Sequence, residues 1–137
     1  MNDRSALSVE LPPAWREALH VFGWHVTDER GLADHTVAAY LRDAQQVAAF
    51  CAAYGIADPD EVAPLVLRRW LASLGEKGYA RASLVRKAAA VRAFFGFLAT
   101  RGLIMVDPAA ALSIPREKRR LPRVLRPQQV VVYRLED

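Results

Sequence analysis

Residues 82–101 read Ala-Ser-Leu-Val-Arg-Lys-Ala-Ala-Ala-Val-Arg-Ala-Phe-Phe-Gly-Phe-Leu-Ala-Thr-Arg and are followed by Gly102. Leu84, Ala88, Val91, Phe95 and Leu98 recur at intervals of three and four, the repeat that stacks side chains on one face of an α-helix. Ser83, Arg86 and Lys87 fall on the border and back of that stripe. Gly102 then offers the residue that most readily leaves helical geometry. The segment therefore predicts a helix over about 82–101 with one buried face and a basic flank.

The same grammar repeats toward the N-terminus. A Pro-Pro pair at 12–13 suits a helix start, and Trp15, Leu19, Phe22 and Val26 follow at helical spacing until Gly31, which predicts a helix over 12–30. A second helix is expected over 34–54, with Asp34 as N-cap, Val37, Leu41, Ala44, Ala48 and Cys51 inward, and His35, Arg42 and Gln46 outward. Pro64 opens a third that includes Leu67, Trp70, Leu71 and Leu74 and ends between Gly75 and Gly78. Asp107-Pro108 signals a cap and first position for a short fifth helical turn through Leu112. The fold class expected is all-α, an orthogonal bundle of four main helices plus a short fifth. Trp15, Trp24 and Trp70, set among aliphatics at helical spacing, read as core or partner-facing residues rather than as platforms for stacked bases.

Composition agrees with a folded domain, since 53% of the 137 residues are hydrophobic and 25% charged. The charge is unevenly placed. Residues 1–63 hold four basic and ten acidic groups, a net −6, whereas residues 64–126 hold fourteen basic and three acidic, a net +11; the last eleven residues contribute −1 and bring the total to +4. Sixteen of the nineteen basic residues are arginine, whose planar fork grips phosphate through two hydrogen bonds. A polyanion is therefore a natural partner for the second half. Arginine as a mere solubilising residue is the competing reading.

Several function classes are disfavoured. Cys51 is the one cysteine, so no internal disulfide forms and no zinc-type spacing exists. A small buried hydrophobe is its expected role. No stretch approaches the roughly 18 apolar residues of a membrane span, and the N-terminus lacks a signal-peptide core, so a cytoplasmic setting is expected. No Ser-His-Asp set, paired carboxylates or Gly-rich phosphate loop appears, and neither a metal nor a small-molecule cofactor is expected. Residues 114–127 carry three prolines and six basic residues against one acid, which reads as an extended basic linker.

Taken in order, Glu29-Arg-Gly-Leu32, Thr36-Val-Ala-Ala-Tyr-Leu-Arg-Asp43, Ser83-Leu-Val-Arg-Lys87, Ala90-Val-Arg-Ala-Phe-Phe-Gly-Phe-Leu98, Gly102-Leu103, Asp107-Pro108 and Arg119-Arg-Leu-Pro-Arg-Val-Leu125 form a pattern. It resembles the core-binding domain of the Xer-type branch of the tyrosine recombinases, within the phage-integrase family. The resemblance runs from about residue 12 to 130 and implies a SAM-like helical domain over 12–113 that forms one jaw of a clamp on duplex DNA. It also implies that the second and fourth helices face the DNA. On that basis the expected contacts are Thr36, Tyr40 and Arg42, then Arg81, Ser83, Arg86 and Lys87, then Lys118, Arg119 and Arg120 of the linker. Arg92 is expected to serve either a structural ion pair with an acid of the first half or DNA.

In the resembled family the chemistry resides in a following domain, where a tyrosine attacks a DNA phosphate among arginines, a lysine and histidines. His20, His25 and His35 all precede the linker, and Tyr133 stands in a tail without such cations, so no catalytic residue is expected here. Residues 1–11 read as an N-terminal tail and 128–137 as a truncated or frameshifted one. Duplex DNA is the expected partner, with other recombinase subunits as further partners. The alternative is a helical protein–protein interaction module that does not bind DNA.

Overall fold

The computed structural model describes residues 11–29 and 31–114. These form α1 (Pro13–Trp24), α2 (Asp34–Ala53), α3 (Pro64–Glu76) and α4 (Arg81–Thr100), with a 3₁₀ turn at Pro59–Glu61 before α3. No strand occurs among the described residues, and the all-α class is observed.

Each of the four main expected helices exists, and among these the differences lie at the ends. The α-helical hydrogen-bond pattern of α1 stops at Trp24 and gives way to a π-helical turn, His25–Glu29. Widening the turn still leaves Val26 fully buried, so the apolar repeat extends further than the α-helix does. The α2 N-cap is Ala33, in extended geometry at φ −65°, ψ 151° and with no side-chain cap bond. Asp34 is thus the first helical residue rather than the cap, where its charge still favours the positive end of the helix dipole. The expected fifth helix is a hydrogen-bonded turn: Asp107 Oδ1 accepts from the Ala109 N–H at 2.8 Å, and the Leu112 N–H donates to the Ala109 carbonyl at 3.0 Å. Gly78, after α3, takes φ +95°, a left-handed conformation that lets the chain reverse into α4.

The core is centred on α4, which packs against α1, α2 and α3. Trp15 and Phe22 of α1 meet Phe94 and Phe95 of α4, all four fully buried, with Phe22–Phe94 edge-on at 5.0 Å and Trp15–Phe95 edge-on at 6.2 Å. The Trp15 Nε1–H donates to the Ile56 carbonyl at 2.9 Å, so the indole's polar edge is satisfied inside the bundle. Leu67, Trp70, Leu71 and Leu74 close the third side as expected. Helix α4 buries more than one stripe, since Ala90, Phe94 and Phe97 are also inside while Leu84 is only half-buried. A helix surrounded on three sides loses the narrow amphipathic face that a surface helix shows. Of the three tryptophans, Trp15 and Trp70 are core, and Trp24 is 62% exposed.

Candidate nucleic-acid interface

Helices α2 and α4 are joined by a buried ionic cluster that the charge pattern did not reveal. Asp43, midway along α2, is wholly buried. The Lys87 Nζ donates to Asp43 Oδ1 at 2.7 Å and to Gln46 Oε1 at 2.7 Å, and lies 5.4 Å from the centre of the Tyr79 ring. Arg86 approaches the same carboxylate from outside, its Nη2 3.4 Å from Oδ2. Burying one carboxylate and one ammonium is tolerated because each satisfies the other at hydrogen-bond distance.

Lys87, expected on the border and back of α4, is therefore corrected to an interior position, its side chain only 7% exposed. The physical reason is the partner: α2 presents Asp43 where α4 would otherwise bury an aliphatic residue. Arg92, considered for an ion pair with the first half, instead donates to the Leu112 carbonyl at 2.7 Å and ties α4 to the turn after it. Lys87 and Arg86 make an ionic link between the two halves.

Above this cluster lies an open groove of about 970 Å³ between α2, the end of α3 and the start of α4. Arg42, Ser83, Arg86 and Lys87, four of the expected site residues, all line it. Arg16 and Lys77, which spacing along single helices had not singled out, line it as well, and no acidic side chain among the described residues does. Nothing in the periodicity of α1 or α3 marks those two, because only the packing of separate elements brings them to one opening. Phe50 and Leu74 contribute apolar floor.

The remaining expected contacts sit elsewhere. Thr36 and Tyr40 are half-buried on the first turns of α2, Tyr40 against the core, and neither lines the groove. Arg81 is exposed in the first turn of α4, which holds no acidic side chain. Lys118, Arg119 and Arg120 lie outside the described residues. Among the described residues no group of three or more His, Cys, Asp or Glu is placed to hold a metal ion, and no helix is long and apolar enough to cross a membrane. Burial pushes the Cys51 thiol up to about 12, far from a nucleophile's range.

Residues 20–102 match the family described as phage integrase, N-terminal SAM-like domain. The chain is 37% identical over 110 residues to tyrosine recombinase XerC of Pseudomonas putida, covering 80% of this chain and 37% of that protein. It is 40% identical over 112 residues to tyrosine recombinase XerC of a Mycobacterium species, covering 81% and 37%, and 40% identical over 113 residues to that of Mycobacterium tuberculosis, covering 82% and 38%. The chain thus spans little more than a third of the length of these relatives. No solved structure gives a significant match.

Proposed function

The chain belongs to the phage-integrase family through its N-terminal SAM-like domain, and from that premise we propose that it grips duplex DNA along the groove between α2 and α4. The observation that carries the proposal is the convergence of Arg42, Ser83 and Arg86 on one opening whose lining, among the described residues, includes no acidic side chain, the one carboxylate beside Arg86 being the buried Asp43 beneath it. Arginines at such an opening meet phosphate oxygens bidentately and set the protein's position on the duplex, while Ser83 adds a short neutral donor. Arg81, five residues before Arg86 at the start of α4, adds a further exposed basic side chain to that end of the helix. Thr36 and Tyr40 are assigned to the flank of the same face. The basic run from 116 to 126, with Lys118, Arg119 and Arg120, adds phosphate contacts that do not depend on sequence.

Lys87 is assigned a structural charge rather than a DNA contact, because its two strong hydrogen bonds are already made inside the bundle. Recombination chemistry, on this reading, belongs to the portion of the relatives that the match does not span. One jaw of a clamp makes only part of the phosphate contacts, so binding in the range of non-specific complexes, about 10⁻⁴ to 10⁻⁶ M, is expected.

The test is an anisotropy titration of the chain on a short duplex, with Arg42→Ala/Arg86→Ala beside it. The pair should weaken binding while leaving the melting temperature nearly unchanged, since exposed charges add little to stability. Absence of binding at low salt and high micromolar protein refutes the proposal and leaves the helical interaction module.

A further inference from the structure

The two cations at Asp43 are not equivalent. Lys87 holds Oδ1 at 2.7 Å from inside, with a side chain 7% exposed. Arg86 stands 3.5 Å from Oδ1 and 3.4 Å from Oδ2, with a side chain 42% exposed, and Oδ2 receives no hydrogen bond from the described residues. A carboxylate whose counter-ion is an arginine commonly draws the guanidinium into a bidentate pair at about 2.7–2.9 Å. Here the negative charge is already neutralised by the buried lysine, and the arginine is a loosely held second cation at the rim of the groove.

We infer that Lys87 is a positioning residue for phosphate binding: by neutralising Asp43 from within, it leaves Arg86 able to exchange that carboxylate for a DNA phosphate. The inference rests on the DNA reading above. Lys87 itself touches no nucleic acid. Removing its charge makes Arg86 the main counter-ion of a wholly buried carboxylate, so the guanidinium is drawn inward. The DNA then loses a contact that the substituted residue never made.

The salt dependence of binding counts such contacts, each contributing about 0.9 to the slope of log K against log salt. The full chain is titrated on one short duplex over a salt series, with folding of every variant checked by circular-dichroism melts. Arg86→Ala should flatten the slope by about 0.9, and Lys87→Met should do the same. The double variant Arg86→Ala/Lys87→Met should be no flatter than Arg86→Ala alone. Asp43→Asn/Lys87→Met, which removes both buried charges, should return the wild-type slope, because Arg86 no longer has a carboxylate to fall back on.

A wild-type slope for Lys87→Met, alongside a flattened Arg86→Ala, overturns the inference and leaves the DNA reading standing. Additive loss in the double variant overturns it too, by showing lysine and arginine on separate phosphates. A wild-type slope for Arg86→Ala removes Arg86 from the DNA and overturns the inference together with that residue's assigned contact. Should Lys87→Met fail to fold, the neutral pair Asp43→Asn/Lys87→Met decides: a slope equal to wild type sustains the inference, and one flattened by about 0.9 places Lys87 on a phosphate and overturns it.

Discussion

Replacing Trp15 by phenylalanine isolates what the polar edge of the core contributes. The indole is fully buried against Phe94 and Phe95, and its Nε1–H donates to the Ile56 carbonyl at 2.9 Å. Phenylalanine keeps the aromatic contacts and removes the donor. Leaving the carbonyl unpaired costs about 1–3 kcal/mol, and the lower end applies because Ile56 is only half-buried and water reaches its neighbourhood. The smaller ring also leaves a void of roughly 40 Å³, which at about 24 cal/mol per Å³ adds about 1 kcal/mol. The total, about 2 kcal/mol, corresponds to a fall of roughly 10 °C in Tm for a domain of this size. Urea and thermal melts followed by circular dichroism measure it, with an unchanged m-value expected because the surface exposed on unfolding is the same. Trp24→Phe is the control, since Trp24 is 62% exposed and its substitution should stay within about 0.5 kcal/mol of wild type. A Trp15→Phe protein as stable as wild type would show that the Ile56 bond contributes nothing and refute the reasoning.

Two glycines should respond with opposite signs. Gly78→Ala places a side chain at φ +95° and should cost about 1 kcal/mol through backbone strain alone, whereas Gly96→Ala within α4, where the new Cβ lies 3.8 Å from Asp107 Oδ2, should stabilise by about 0.5–1 kcal/mol; urea midpoints distinguish them. Cys51 should stay unreactive toward a thiol reagent in the native protein at a pH of about 8.5 and react once unfolded. Its folded pKa is raised from 9.0 to about 12, so the native state binds the extra proton: the associated stability is fully present below pH 9.0 and is lost as pH rises toward 12, which alkaline urea titrations of wild type and Cys51→Ala compare.

The existence and order of the helices were legible because apolar residues recur at three and four and because prolines and glycines mark the ends. Their termini were less so. The spacing that places Val26 inward is compatible with both α and π geometry, so it carried the expected first helix past Trp24. Asp34 satisfied the compositional signature of a cap, yet the backbone at Ala33 already supplies the extended residue that precedes the helix. At the candidate interface, the resemblance pointed to α2 and α4, which the fold packs side by side along one groove, but it ranked Lys87 with Arg86. Adjacent residues on a helix are about 100° apart, and which of them meets Asp43 depends on the rotation of α4 against α2, a quantity no single-helix pattern contains. Arg16 and Lys77 escaped for the same reason, since the groove they line exists only after residues of four helices have packed together.

Three polar ties in the bundle join residues nearly equally far apart in the chain: Trp15 to Ile56 over 41 residues, Asp43 to Lys87 over 44, and Asp60, whose carboxylate accepts from the Met105 N–H at 2.7 Å, over 45. The entropy of closing such loops grows only logarithmically, so the three differ by less than about 0.1 kcal/mol and none has a kinetic head start. Helices and their apolar contacts form on shorter timescales than side chains lock across the bundle. The ties should therefore be made after the rate-limiting step of folding, and a chevron for Trp15→Phe should show a raised unfolding arm beside an almost unmoved folding arm. The bundle would then owe its lifetime, more than its speed of formation, to a few hydrogen bonds that span about a third of the chain.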